Sequence, residues 1–343
     1  MARRSPQAGS ARGAPVRILV TGASGLLGRR LVPVLLKAGH AVVATSRDPE
    51  SLRFPSGVLP MGWDGKDMLQ VPGKVDAIIH LMGEPIVGKR WTPARKQAIL
   101  ATRLESTKRI AEFIARRRPA DRPQVFLCAN AAGYYGINPS GLCTEQTEPG
   151  TDFLADVCRQ WEAAALEAET RTVILRLGHV LSKDGGYLGE VLPLAKVGLA
   201  GPLGGGAQPM PWIHIDDVCG IVLWALSAPG VQGAYNAVAP QRIAQKDFVH
   251  ALNQHTTIPN LVPVPAFALK ARFGEVAEAM LGGQDIKPVR LELEGYDFGH
   301  PTIADALQDL LVPKPKRRPE ARAEALAKAA TLPPEGDETV DEE

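Results

Sequence analysis

Three glycines, Gly22, Gly25 and Gly28, follow directly on the apolar run Val16 to Thr21, and their spacing suits the binding of a dinucleotide. Gly22 permits a tight turn, Gly25 lets the backbone approach a pyrophosphate, and Gly28 lets the next helix pack close to the strand. The pyrophosphate then sits on that helix's N-terminus, where unpaired N–H groups and the positive end of the helix dipole offset its charge. Its contacts fall to Gly22, Ser24, Gly25, Leu26, Leu27 and Gly28. The flanks agree: an amphipathic helix over Leu26 to Lys37, Gly39 as its C-cap, and a second strand over Ala41 to Thr45.

That second strand ends in Ser46-Arg47-Asp48-Pro49. An acidic residue at this tip binds the free ribose hydroxyls of NAD, whereas an arginine neutralises the 2′-phosphate of NADP. Arg47 as phosphate clamp and Ser46 as hydroxyl donor favour NADP(H) over NAD(H). The alternative reading makes Arg47 a solvated strand-end charge beside Asp48.

The elements that position these residues alternate along the chain. Strand-like runs follow at Gly57 to Gly62, Val75 to Met82, Val125 to Ala129, Thr172 to Leu177 and Ala234 to Val238, with helical patterns at Pro93 to Arg117, Asp152 to Glu169 and Ile215 to Ser227. Such alternation predicts an α/β fold, a Rossmann-type doubly wound parallel sheet covered on both faces, with a small, mostly helical C-terminal domain. Ligands bind at the carboxyl ends of such strands, so the loops after Met82, Ala129 and Leu177 should line the site. We divide the 343 residues into a tail (1–15), a nucleotide-binding domain (16–255), a smaller domain (256–312) and a charged tail (313–343). Met1 to Pro15, arginine-bearing and free of acids, reads as a disordered tail or a transit peptide.

Composition excludes several classes. A net charge of +2 with no basic stripe argues against a nucleic-acid partner. No apolar run approaches the length of a bilayer span, which argues against a membrane partner. Cys128, Cys143, Cys158 and Cys219 lack CxxC spacing, so reduced thiols and no metal are expected. The expectation is a cytoplasmic protein with a small-molecule substrate.

The glycine turn, His80-Leu-Met-Gly83, Tyr135-Gly136, Leu175-Arg-Leu-Gly178, Trp212-Ile-His-Ile-Asp-Asp-Val218 and Tyr235-Asn236 resemble the extended short-chain dehydrogenase/reductases. More narrowly, Gly83-Glu-Pro-Ile, Lys89-Arg-Trp-Thr92, Gly133-Tyr-Tyr-Gly136, Trp161-Glu162, Asp184-Gly-Gly186 and Leu281-Gly-Gly-Gln284 resemble an atypical branch called epimerase family proteins. The resemblance runs from Val16 to Leu311. It implies a Rossmann core with NADP(H), bordered by Leu81, Met82 and Gly83, and a C-terminal domain of unknown function. It also implies a monomer or a homodimer, the dimer face formed by the helices Pro93 to Arg117 and Asp152 to Glu169.

Members of the wider superfamily use a tyrosine activated by a lysine, a serine or threonine that polarises the substrate, and an asparagine in a proton relay. A lysine cation lowers the tyrosine pKa, and the same lysine holds the nicotinamide ribose. Anchored on Trp161-Glu162, the lysine position falls on Cys158 and the tyrosine position on Leu154. The serine position falls on Asn130 or Ala131, and the asparagine position is Arg103. The chain departs from the pattern at all four.

Other residues are candidates for the chemistry. Tyr134 or Tyr135 can donate a proton to a carbonyl oxygen, or pack as aromatics at the site wall. Glu84 can act as acid or base, or cap a helix, or pair with Lys89 or Arg90. Lys89, Arg90 and Trp91 suit an anionic or planar substrate, the alternative being a basic loop pinned by Trp91. Cys158 reads as a small buried filler, and Asp216 or Asp217 as the N-cap of the helix before Val218. Asp184-Gly-Gly186 and Gly204-Gly-Gly206 are loops that close over a substrate, or simple turns. Two classes of function follow: an oxidoreductase or epimerase-like enzyme, or a non-catalytic NADP(H)-binding sensor or scaffold, for example in cell division.

Overall fold

Runs such as Ile18-Leu-Val20 and Ala77-Ile-Ile79 carry no polar alternation, and all six residues are at most 2% exposed, as strands covered on both faces require. The computed structural model describes residues 15–50, 54–137 and 139–313. Apart from Pro15 and Pro313, the expected terminal tails lie outside the described residues.

The strands, in chain order, are β1 (Arg17–Thr21), β2 (Ala41–Ser46), β3 (Val58–Gly62), β4 (Ala77–His80), β5 (Val125–Ala131), β6 (Leu142–Cys143), β7 (Arg171–Leu177), β8 (His179–Ser182), β9 (Trp212–His214), β10 (Gly233–Ala237) and β11 (Asp285–Ile286). The helices are α1 (Leu26–Lys37), α2 (Pro93–Ala115), α3 (Phe153–Leu166), α4 (Gly186–Ala195), α5 (Ile215–Ser227), α6 (Gln245–Asn253), α7 (Ala266–Phe273), α8 (Val276–Leu281), α9 (Val289–Leu293) and α10 (Ile303–Leu311). Seven strands form one sheet in the order β10-β7-β5-β4-β1-β2-β3, and every pairing in it is parallel. The Rossmann-type fold is as expected. Pro60 stands in β3, the outer edge strand, where no neighbour needs its missing N–H.

One face of the sheet packs on α1 and α5 through Leu31, Leu35, Val218 and Val222, and the other on α2 and α3 through Ile110, Ile114 and Trp161. Helix boundaries follow local chemistry. Thr92 caps α2 with Pro93 at the first helical position, and Asp152 caps α3 by accepting from Leu154 N and Ala155 N. Ala38 is the C-cap of α1, and Gly39 follows it at φ +94°.

Residues 256–313 form the mostly helical remainder. They join the sheet domain through a two-residue parallel ladder between β11 and β6 and through α10 packed near α6. Both short ladders, β6–β11 and β8–β9, lie outside the strand pattern legible in the sequence.

Candidate cofactor cleft

The glycine turn has the shape a pyrophosphate needs. Gly22 takes φ +70°, and a side chain there would sit 2.9 Å from the Leu81 carbonyl carbon. A Cβ on Gly28 would sit 2.5 Å from Ala23 Cα, so α1 lies too close to the turn for any other residue. Gly25 is the N-cap of α1, exposed and without a side-chain cap, and its missing Cβ would meet only Gly22 O at 3.2 Å. Among the described backbone bonds, the N–H groups of Leu26 and Leu27 find no acceptor. Uncapped N–H groups behind an open glycine face fit a pyrophosphate. Gly185 and Gly186 pack on the Leu26 side chain, which puts the Asp184-Gly-Gly186 loop beside this groove.

Beneath the turn lies a rigid support. Thr21 Oγ1 is 2.6 Å from His80 Nδ1, and His80 Nε2 is 3.1 Å from Ser106 Oγ. Ser106 donates to Thr102 O at 2.7 Å, so Nε2–H donates to Ser106 and Nδ1 accepts from Thr21. Burial, and then the nearby Arg103 cation, lowers the His80 pKa to about 3, which keeps the ring neutral.

At the tip of β2, Arg47 is exposed. Its cation helps hold the Glu84 carboxyl below the usual range, behind the stronger effect of Arg95. Ser46 Oγ lies within 3.2–3.3 Å of Asp48 N and O, where it shapes the local turn. Leu81 N donates to Thr21 O at 3.1 Å, and Met82 and Gly83 then lead away from the sheet.

Glu84 and Arg90 take partners other than those expected, and Trp91 follows the alternative in which it pins its loop. Glu84 pairs with Arg95, not with Lys89 or Arg90, and the paired carboxylate stays ionised and cannot serve as an acid near neutral pH. Trp91 is 8% exposed, donates from Nε1 to Ile86 O at 2.9 Å and meets Phe153 edge-on at 5.3 Å. Its indole therefore belongs to a core cluster. Arg90 donates to the carbonyls of Ala271 and Arg272 at the end of α7, a C-terminal cap that sequence spacing does not show. Of the proposed substrate trio, Lys89 is left, exposed on its loop.

The tyrosines after β5 separate into two roles. Tyr135 is 2% exposed, donates to Asn236 Oδ1 at 2.6 Å and accepts from Arg176 Nη1 at 2.9 Å. Burial pushes its pKa up to about 12, so the proton-donor reading of Tyr135 is corrected to a structural one. Tyr134 is half-buried, with the Arg176 guanidinium 3.5 Å from its ring centroid. Burial raises its pKa against the opposing pull of Arg176, so its hydroxyl stays protonated. The C-terminal Leu281-Gly-Gly-Gln284 segment ties to this loop: Gly283 N donates to Ile137 O at 2.9 Å, and Gln284 Nε2 to Gly136 O.

At the four positions vacated by the usual tetrad, Cys158 is 3% exposed and raised to about 12 by burial, an inert filler as expected. Asn130 donates to Cys158 O at 3.0 Å. Arg103, at the asparagine position, has a role that the spacing does not show. It is buried, donates from Nη1 to Glu84 O and Ile99 O at 3.0 Å each, and lies with Cζ 5.2 Å from the Trp161 ring centroid.

One group among the described residues has metal-like spacing: ligand atoms of His214, Asp217 and His300 lie within 4.8 Å of one another. His214 Nδ1 accepts from Asp216 N at 3.0 Å, so the imidazole is the N-cap of α5 and its remaining proton sits on Nε2. This corrects the aspartate-cap expectation. Asp216 instead pairs with Arg30 at 2.6 Å, and Asp217 accepts from Gly299 N and His300 N at 2.7 and 3.0 Å. The group fastens the C-terminal segment to the start of α5.

Residues 18–237 of this chain match the profile of the NAD dependent epimerase/dehydratase family. The chain belongs to that family. Within it, residues 264–310 also match a domain of unknown function, DUF1731. The epimerase family protein SDR39U1 homolog, chloroplastic, of Arabidopsis thaliana is 36% identical over 303 residues, covering 86% of each chain. The Bos taurus epimerase family protein SDR39U1 is 35% identical over 303 residues, or 86% of this chain and 100% of the relative. The crystal structure of human epimerase family protein SDR39U1 with NADPH superposes with a TM-score of 0.77 at 31% identity, covering 86% of this chain and 99% of that one. MoeE5 in complex with UDP-glucose and NAD, at 19% identity and a TM-score of 0.68, shares the epimerase-family fold over 90% of this chain and 99% of its own.

Proposed function

We propose that this chain is an NADP(H)-dependent oxidoreductase or epimerase-like enzyme acting on a small molecule at the carboxyl ends of β4, β5 and β7. The observation that carries the cofactor reading is the uncapped N-terminus of α1 behind Gly25, with the Arg47 cation at the tip of β2. Crystallisation of a 31% identical relative with NADPH supports it. Gly22, Ser24, Gly25, Leu26, Leu27 and Gly28 hold the pyrophosphate, Arg47 the 2′-phosphate with Ser46 beside it, and Leu81, Met82 and Gly83 border the groove. When bound, NADP(H) supplies hydride chemistry.

Tyr134 is the proton donor of this reading, because its hydroxyl stays protonated and lies on the loop after β5. It donates to an oxygen of the substrate. Arg176 beneath its ring stabilises the charge left on the phenol. We keep the division at residues 255 and 256, a monomer or homodimer, and the cytoplasm, where four free buried thiols stay reduced. A screen of carbonyl compounds and nucleotide sugars for loss of NADPH absorbance tests the enzyme, and Tyr134→Phe should cut any turnover at least roughly a hundredfold.

A second reading is favoured by Leu154, Cys158 and Arg103 standing at three positions of the usual tetrad. In it the chain is an NADP(H)-binding sensor or scaffold. Tight binding with no turnover across the panel selects it.

A further inference from the structure

The dinucleotide groove has two ends, and the sheet order distinguishes them. With a pyrophosphate at the N-terminus of α1, Arg47 just past β2 marks the adenosine end, so the nicotinamide end extends the other way, toward the tips of β4 and β5. Arg103 lies against the segment just past β4, where Nη1 also donates to Glu84 O. A Cβ on Gly83, just past β4, would lie 2.9 Å from Arg103 Cζ and Nη2 and 3.2 Å from Nε. On the β5 side, a Cβ on Gly133 would meet Cys158 Sγ at 3.7 Å, and Cys158 in turn feels the Arg103 charge.

Arg103 is 8% exposed, yet no carboxylate forms an ion pair with it among the described residues. Its nearest acid, Glu84, is engaged by Arg95. Nη1 is saturated by the carbonyls of Glu84 and Ile99, and Trp161 covers one side at 5.2 Å. Nε and Nη2 make no described hydrogen bond and face Gly83. Neither atom is among the fully buried polar atoms left without a partner, so both are open to an acceptor. Gly83, without a side chain, lets the guanidinium lie directly against the backbone just past β4.

We infer that Arg103 holds the nicotinamide-side ribose of the bound dinucleotide through its free Nε and Nη2 donors, so that a cation on α2 serves where Cys158 on α3 cannot. Neutral ribose hydroxyls accept from a guanidinium by charge-assisted hydrogen bonds. Arg103 is thereby a positioning residue for the reacting ring. The inference rests on the NADP(H) reading above and goes beyond it.

Calorimetric titration of the full chain with NADPH and with 2′-phospho-ADP, which keeps the adenosine and pyrophosphate but lacks the second ribose, tests it. Arg103→Gln should weaken NADPH by roughly ten- to a hundredfold and leave 2′-phospho-ADP within about twofold. Arg103→Lys keeps the charge in the core and loses the planar fork, so it should recover part of the NADPH affinity. It also serves as the reporter if Arg103→Gln fails to fold, with a several-fold loss for NADPH alone. Equal weakening of both ligands, or none for NADPH, overturns the inference while leaving the cofactor reading intact. Failure of the unaltered chain to bind either ligand overturns both.

Discussion

The Arg176 guanidinium on β7 grips the Glu162 carboxylate on α3 with two hydrogen bonds, Nε to Oε2 at 3.1 Å and Nη2 to Oε1 at 2.8 Å. The pair anchors a buried polar network. Arg176 also donates to Tyr135 and to Glu145 O, and Asn130 reaches Glu162 Oε2 at 3.3 Å. Removing one partner leaves an uncompensated charge with the Arg176 side chain only 3% exposed. Arg176→Gln should therefore cost about 3–5 kcal/mol of unfolding free energy by urea titration. The double variant with Glu162→Gln should cost less than the sum of the two singles. Additive losses would show that the pair is not coupled.

Gly28 is a packing constraint before it is a ligand contact. Gly28→Ala drives a methyl to within 2.5 Å of the Ala23 backbone, so α1 must move off the turn. Overpacking of this kind costs about 1–3 kcal/mol. The melting temperature should fall and NADPH binding should be lost in the folded fraction, as heat denaturation with and without the nucleotide will report.

Acid should destabilise the fold through His80. Its folded pKa, about 3, lies below the ordinary value of 6.5, because the ring is 0% exposed and wedged between Thr21 and Ser106. Above pH 6.5 both states are neutral and nothing is lost. As pH falls below 6.5 the unfolded chain takes up a proton that the folded one refuses, and stability drops by about 1.4 kcal/mol per pH unit from this group. His214 acts in the same direction, its pKa lowered by burial and by His300. His300 acts oppositely: its pairing with Asp217 raises its pKa, so its contribution is complete below pH 6.5 and fades as pH rises through the folded value. His80→Gln should give a flatter decline between pH 6.5 and 4 in chemical denaturation, and an unchanged slope would contradict the assignment.

Much of the fold was legible because its signals are local. The strand-glycine-helix run through Gly28 and the apolar strands needed no knowledge of distant partners. The site was less legible because its partners come from afar in sequence. Glu84 meets Arg95 across the turn into α2, Arg90 caps α7 at Ala271, and His214 takes the cap role that spacing gave to Asp216 or Asp217. Trp91 and Tyr135 carry side-chain types suited to ligands, yet a buried tryptophan and a buried tyrosine have the same sequence appearance as exposed ones. Arg103 had a signal that could have been used. A charged residue at position 103, on the helix face that turns Ile99, Ser106 and Thr107 toward the core, is out of place unless something completes it.

Selective recognition of the 2′-phosphate is the most direct test of the central claim that this chain holds NADP(H). Calorimetric titration of the unaltered chain and of Arg47→Ala with NADPH and NADH should give tight binding of NADPH over NADH, with the preference reduced roughly ten- to a hundredfold in the variant. Absence of NADPH binding, or equal loss of both nucleotides in Arg47→Ala, would contradict it.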